Sequence, residues 1–272
     1  MANLFNCLCS SLLSCHKNRE LFYKGEGLEL MNLILKEKRH KDSNSEVRVF
    51  ACKVLNHCMS TEKPDQLLVQ CCNKFIEILG LRVLMPIFQK PSSILGVRRK
   101  KRQSAVDEVE EHTLSIILAL LRFCKPENMR RIVNKFVELD MVKTERLVEL
   151  YLKYTDRLEA LDRTLRREGH DLEDAETRDT LYPRRMEGGL FHLQLICHII
   201  LILANQEEAR GQCENKWFTI KERIRKLLSI HANVGGSSSV SYTERIKSIA
   251  TEYAAEKAES EANELTQLVN GF

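Results

Sequence analysis

The stretch GLELMNLILKE, Gly27 to Glu37, decides how the rest of the chain is read. A Gly-Leu pair opens an apolar run, and Met31 follows Leu28 by three positions, the spacing of one helical face. The same opening returns at Gly80-Leu81, with Leu84 three beyond, and at Gly189-Leu190, with Leu193 three beyond. Gly27 and Gly80 lie 53 positions apart, and Gly80 and Gly189 lie 109. An apolar helix that recurs at fixed spacing cannot bury its face alone and must stack on its neighbours. The spacing exceeds the roughly 40–47 residues of an armadillo or HEAT unit, an excess that loop insertions would supply. Three such echoes also arise by chance in all-helical chains, so the spacing alone leaves another helical packing open.

Composition narrows the classes. A chain of 272 residues holds one large or two ordinary domains with enough core to fold without staples. Hydrophobic residues at 43% and charged residues at 29% suit a helical protein with a charged surface. Only 5 Pro and 11 Gly argue against a sandwich or barrel. The net charge of +4, from 42 basic and 38 acidic residues, argues against direct nucleic-acid binding. Cys52, Cys58, Cys124 and Cys197, four of 10 cysteines, sit in apolar helical runs, which predicts buried free thiols in a reducing compartment. Met1 to Ser14 lacks the basic flank and small-residue cleavage site of a signal peptide. The longest apolar run, Leu190 to Ala204, is interrupted by His192, Gln194 and His198. It is too short for a bilayer span and reads as a core helix, so no membrane partner is expected.

Read in order, every apolar run has helical periodicity and strand signals are absent, which predicts an all-α fold. Leu4, Phe5, Leu8, Leu12 and Cys15 form a stripe with nothing N-terminal to cover it, as in a solenoid lacking its N-terminal repeats. Lys143 to Arg167 carries Leu147, Tyr151, Tyr154, Leu158, Leu161 and Leu165 as one seam. Asp171 to Asp179 reads as an acidic loop. The segment VGGSSS, 234–239, reads as a flexible linker. The expected organisation is therefore helical repeats over 1–233, that linker, and a C-terminal capping helix within 240–272.

Chemistry is mostly missing. No C-x-x-C occurs and no two histidines lie four apart, so no metal site is expected. Gly25-Glu26-Gly27 begins like a dinucleotide fingerprint, but Leu30 stands where the third glycine belongs. Nothing pairs a nucleophile with a base at readable spacing, so neither an enzyme, a cofactor nor a small-molecule substrate is expected. The run Arg98, Arg99, Lys100, Lys101, Arg102 has two readings: a solvated loop, or a nuclear-import signal or phosphate-facing patch.

The segments LFNCLCSSLLS, LFYKGEGLELMNLILKEK, KFIEILGLRVLMPIFQK, EEHTLSIILALLR and RRMEGGLFHLQLICHI follow one another in a familiar order. In them the chain resembles the beta-catenin-like family of armadillo-type nuclear proteins of the spliceosome. The likeness runs from Leu4 to about His198, then loosely to Gly271-Phe272, and matches the family's C-terminal half. Gln206 to Lys216 and Gln66 to Gln70 look like insertions. The resemblance implies an armadillo superhelix in the nucleus, without catalysis. It also implies membership of the complex that activates the spliceosome. The implied ligands are basic, import-signal-like segments of splicing factors, notably the Myb-like cell-division-cycle-type subunit; vertebrate members also bind activation-induced deaminase.

Armadillo proteins that carry basic peptides grip the peptide backbone with asparagines late in each third helix, in the motif A-x-x-A-L-x-N. Here Ala51 and Leu55 match but His57 replaces the asparagine; Phe123 takes that place after Ile117; Leu203 and Asn205 fit. The resemblance thus implies a peptide groove around His57, Phe123 and Asn205, with its asparagine ladder mostly lost. That loss favours a splicing scaffold over the alternative, a transport adaptor for basic cargo.

Overall fold

The computed structural model describes residues 2–13, 15–37, 45–60, 64–95, 103–214, 216–235 and 242–272. It is all-α apart from one small hairpin, and divides into two compact units, Met1–Ile132 and Val133–Phe272.

The first unit holds α1 (Ala2–Leu12), α2 (His16–Lys24), α3 (Gly27–Lys36), α4 (Ser45–Met59), α5 (Gln66–Glu77), α6 (Leu81–Gln89), α7 (Gln103–Phe123) and the start of α8 (Pro126–Val137). Helix α1 packs on α4 and α4 on α7, so every third helix stacks on its counterpart. Helix α3 meets α4, α5 and α6. Two three-helix repeats result, α2–α3–α4 and α5–α6–α7.

The recurring Gly-Leu has a local cause. A Cβ on Gly27 would sit 2.4 Å from the Phe22 ring, and one on Gly80 would sit 2.5 Å from the Phe75 ring. Each phenylalanine, five residues earlier, lies over the start of the second helix, where only glycine leaves room. The residue before each glycine, Glu26 or Leu79, is left-handed, with φ of 59° and 65°. That conformation turns the first helix into the second and is costly for residues other than glycine.

This geometry corrects the third echo. The turn recurs not at Gly189 but at KFVELDMV, Lys135 to Val142, parallel to KFIEILGL, Lys74 to Leu81. Phe136 is fully buried and Asp140 has φ of 55°, like Leu79. Met141 stands where the glycine was, buried and itself left-handed. Gly189, at φ of 122°, instead belongs to a π turn, Met186–Leu190.

Asparagines tie the repeats together. Asn32 Nδ2 donates to the Ile78 carbonyl at 2.8 Å, closing the end of α5. Buried Asn73 accepts on one oxygen from the Lys125 N–H at 3.0 Å and from Asn128 Nδ2 at 2.8 Å, capping α8 from α5. Its own amide donates to the Val69 carbonyl at 2.7 Å. Removing this cap strands donors in a buried corner, so Asn73→Ala is expected to cost about 1–2 kcal/mol in denaturant unfolding. An unchanged midpoint would show the bonds to be incidental.

The second unit holds the end of α8, then α9 (Val142–Arg167), α10 (Ala175–Arg185), α11 (Phe191–Ala204), β1 (Arg210–Cys213), β2 (Lys216–Thr219), α12 (Ile220–Gly235), α13 (Tyr242–Ala255) and α14 (Glu259–Gly271). The α9 seam packs on α11, with Leu147, Tyr151, Tyr154, Leu158 and Leu165 buried. Helix α11 also meets α12, α13 and α14 and is the core of the unit. The continuous run Glu176–Ala204 is long and apolar enough to cross a membrane by length and composition, but most of its apolar window is buried inside the protein. Its apolar surface already has partners, as a core helix requires.

Four sequence expectations change here. The hairpin pairs Gly211 with Phe218 antiparallel, inside a stretch expected to have no strand. Gly211 lies against the backbone of Val137, where a Cβ would come within 2.4 Å of the carbonyl oxygen. Strands of four residues are too short to display a period of two. The acidic stretch is not all loop: Asp174 accepts from the Thr177 N–H at 2.8 Å and caps α10. The linker expected over 234–239 begins later, because α12 continues to Gly235; residues 236–239 lie outside the described residues. The region expected to be one capping helix, 240–272, contains two, packed together around Tyr253, Ala254 and Leu265.

Candidate functional site

Stacked third helices present one continuous face in the first unit, along α1, α4 and α7. Phe5 of α1 stacks on Phe50 of α4, ring centroids 5.5 Å apart. One turn on, α4 carries half-buried Lys53, Asn56 and His57. Asn56 Nδ2 lies 3.2 Å from His112 Nδ1 on α7, a direct bond between successive third helices. Asn56 Oδ1 accepts from the Ser60 hydroxyl at 3.0 Å, which orients the amide. Glu108 and Glu111 of α7 lie on the same side, with Lys53 in electrostatic reach of Glu111.

The titration of this face follows from partial burial. Burial lowers the His57 pKa, and Lys53 lowers it further, so the imidazole is neutral at pH 7. Burial raises the Glu111 pKa, Glu108 adds to the rise, and Lys53 opposes it. The face therefore combines two carboxylates, a lysine, a neutral imidazole and a pair of stacked aromatic rings. That suits contact with a basic, extended segment: charges to attract it and half-buried side chains to seat it.

Phe123 lies at the end of α7, half-buried, with the Arg122 guanidinium carbon 4.9 Å from its ring centroid. It already faces a cation, which is the contact a basic ligand would make there. Asn205 belongs to the second unit and ends α11. Its amide donates to the Leu201 carbonyl at 2.8 Å and the Leu268 carbonyl at 3.1 Å, holding α14. Asn205 thus serves inside its own unit, as Asn32 and Asn73 do in theirs. The basic run Arg98, Arg99, Lys100, Lys101 and Arg102 lies outside the described residues.

Asn56 carries no motif signal, because the armadillo asparagine belongs one position later, where His57 stands. The sequence offers only a neighbouring amide in the same helical turn. His192 and His198 prove to be core residues: His192 stacks on Tyr154 at 4.1 Å, and His198 is wholly buried edge-on to Tyr253. Cys52, Cys58 and Cys197 are buried free thiols, and Cys124 is half-buried. Among the described residues no group of three or more His, Cys, Asp or Glu is placed to hold a metal.

Repeated three-helix units whose third helices stack define an armadillo-type helical-repeat protein. The family signature described as "Catenin-beta-like, Arm-motif containing nuclear" matches residues 1–235, and the chain belongs to that family. It is 37% identical over 288 residues to beta-catenin-like protein 1 of Bos taurus, covering 100% of this chain and 45% of that protein. Against the Homo sapiens protein of the same name it is 38% identical over 262 residues, covering 93% and 40%. The Schizosaccharomyces pombe homolog is 30% identical over 197 residues, covering 71% of this chain and 30% of the homolog. The chain spans less than half the length of the relatives it matches.

Proposed function

We propose that this chain is a non-enzymatic binding scaffold of pre-mRNA splicing. It takes basic, import-signal-like segments of splicing factors, such as the Myb-like cell-division-cycle-type subunit, on the third-helix face around His57 and Phe123. The observation that carries this reading is the α4–α7 face itself, where half-buried His57 and Glu111 both lie in electrostatic reach of Lys53. Family membership supports a nuclear Arm-type role. Asn205, tied to α14, enters this reading only as a stabiliser of the second unit.

The alternative, a transport adaptor for basic cargo, is disfavoured because His57 and Phe123 stand where backbone-gripping asparagines belong. A pull-down of the tagged chain from nuclear extract, read by mass spectrometry, distinguishes the two. The expected result is enrichment of spliceosome-activating components; enrichment of import receptors without them would favour the adaptor.

The run Arg98 to Arg102 acts, on this proposal, as an import signal. Five adjacent cations resist burial without partners. A fluorescent fusion with all five changed to alanine is expected to lose nuclear accumulation. Unchanged accumulation would make the run a solvated insert.

A further inference from the structure

Cys58, the penultimate residue of α4, and Cys71, on the second turn of α5, face each other with their sulfurs 3.9 Å apart. Both are completely buried. They lie 13 positions apart in the chain, across the connection between successive repeats. Arg19, from α2, is buried and in electrostatic reach of both. Its Nη2 donates to Asp65 at 2.8 Å, while its buried Nε and Nη1 have no hydrogen-bond partner. A buried guanidinium with spare donors beside two thiols is an arrangement that favours a thiolate. Cys72, the adjacent cysteine, points elsewhere: its thiol donates to the Ala119 carbonyl of α7 at 3.8 Å.

We propose that Cys58 and Cys71 are a redox-active dithiol that closes to an intrachain disulfide when hydrogen peroxide acts on it. The thiol of Cys58 donates to the Cys71 sulfur, which favours the thiolate there and keeps Cys58 protonated. Cys71 is therefore the attacking sulfur. It bonds to one peroxide oxygen, the O–O bond breaks, and the departing hydroxide takes the proton Cys71 released, leaving a sulfenic acid and water. The Cys58 sulfur then attacks the Cys71 sulfur. The S–S bond forms, the S–O bond breaks, and the departing hydroxide takes the Cys58 proton as a second water. Two thiols and one peroxide thus give one disulfide and two waters. The sulfurs must close from 3.9 Å to about 2.05 Å, which side-chain rotation and a small slide of α5 along α4 supply. Peroxide is small enough to enter during local opening of the pair.

Closing the bridge ties the end of α4, next to His57, to the first helix of the following repeat. The bridge constrains the unfolded chain and raises the melting temperature of the oxidised protein.

The test is peptide mapping. The full chain is reduced, exposed to hydrogen peroxide, denatured in iodoacetamide, digested and read by mass spectrometry. The expected product is a Cys58–Cys71 cross-linked peptide, with loss of two alkylatable thiols per chain and full reversal by dithiothreitol. The cross-link is absent in Cys58→Ser and in Cys71→Ser; Cys71→Ala repeats the second test without a polar group in the core. Recovery of Cys58 and Cys71 fully alkylated, while exposed Cys7 is oxidised, would overturn the proposal. A cross-link joining Cys71 to any other cysteine would overturn it equally.

Discussion

Truncating Phe75 to alanine is expected to lower the stability of the chain by about 3–5 kcal/mol, the cost of emptying a fully enclosed aromatic site. Gly80→Ala is expected to cost about 1–3 kcal/mol, because its new methyl meets the same ring. Gly80 has ordinary right-handed backbone angles, φ −56° and ψ −34°, so the penalty is one of space rather than conformation. The two changes should therefore couple. In a Phe75→Ala background, Gly80→Ala fills part of the cavity and its cost falls toward zero or reverses sign. A double-mutant cycle from denaturant unfolding measures this directly. An unchanged Gly80→Ala cost without Phe75 would mean that the ring–glycine contact does not specify the repeat. Phe22 approaches Gly27 as closely as Phe75 approaches Gly80, but Phe22 is only half-buried, so its truncation should cost less.

That pair also explains how far the fold could be read. The Gly-Leu opening was legible because glycine is the visible half of the device. The other half, a phenylalanine five residues earlier, is one apolar residue among many and carries no period of its own. Where glycine gives way to Met141 the repeat has no glycine to mark it, and the Gly-Leu at Gly189 marks a π turn instead. Most helices were legible from their apolar spacing, whereas α10, with little apolar periodicity, read as loop. The hairpin was not, because Gly211 is specified by contact with Val137, 74 positions away. At the candidate site, His57 was legible from motif position, whereas the Asn56–His112 bond depends on how α4 and α7 stack. Asn205 fitted the motif for a different reason: it closes α11 against α14.

The larger consequence concerns binding. If the α4–α7 face seats a basic segment, loss of its central side chains should cost about 2 kcal/mol, roughly thirtyfold in affinity. Glu108 and Glu111 contribute through partly exposed charge, so affinity should also fall with ionic strength. The raised pKa of Glu111 adds a pH signature. Its carboxylate is neutralised earlier on acidification than an ordinary glutamate, and attraction for a cationic ligand weakens in step.

The most direct measurement is titration of a labelled Lys/Arg-rich splicing-factor peptide against three forms of the chain: wild type, the His57→Ala/Phe123→Ala double mutant, and Lys257→Ala as a control in the second unit. Melting temperatures taken alongside establish that all three are folded. The account predicts salt-sensitive binding to wild type and to the control, weakened roughly thirtyfold in the double mutant. Equal affinities for three folded proteins, independent of salt, would contradict it.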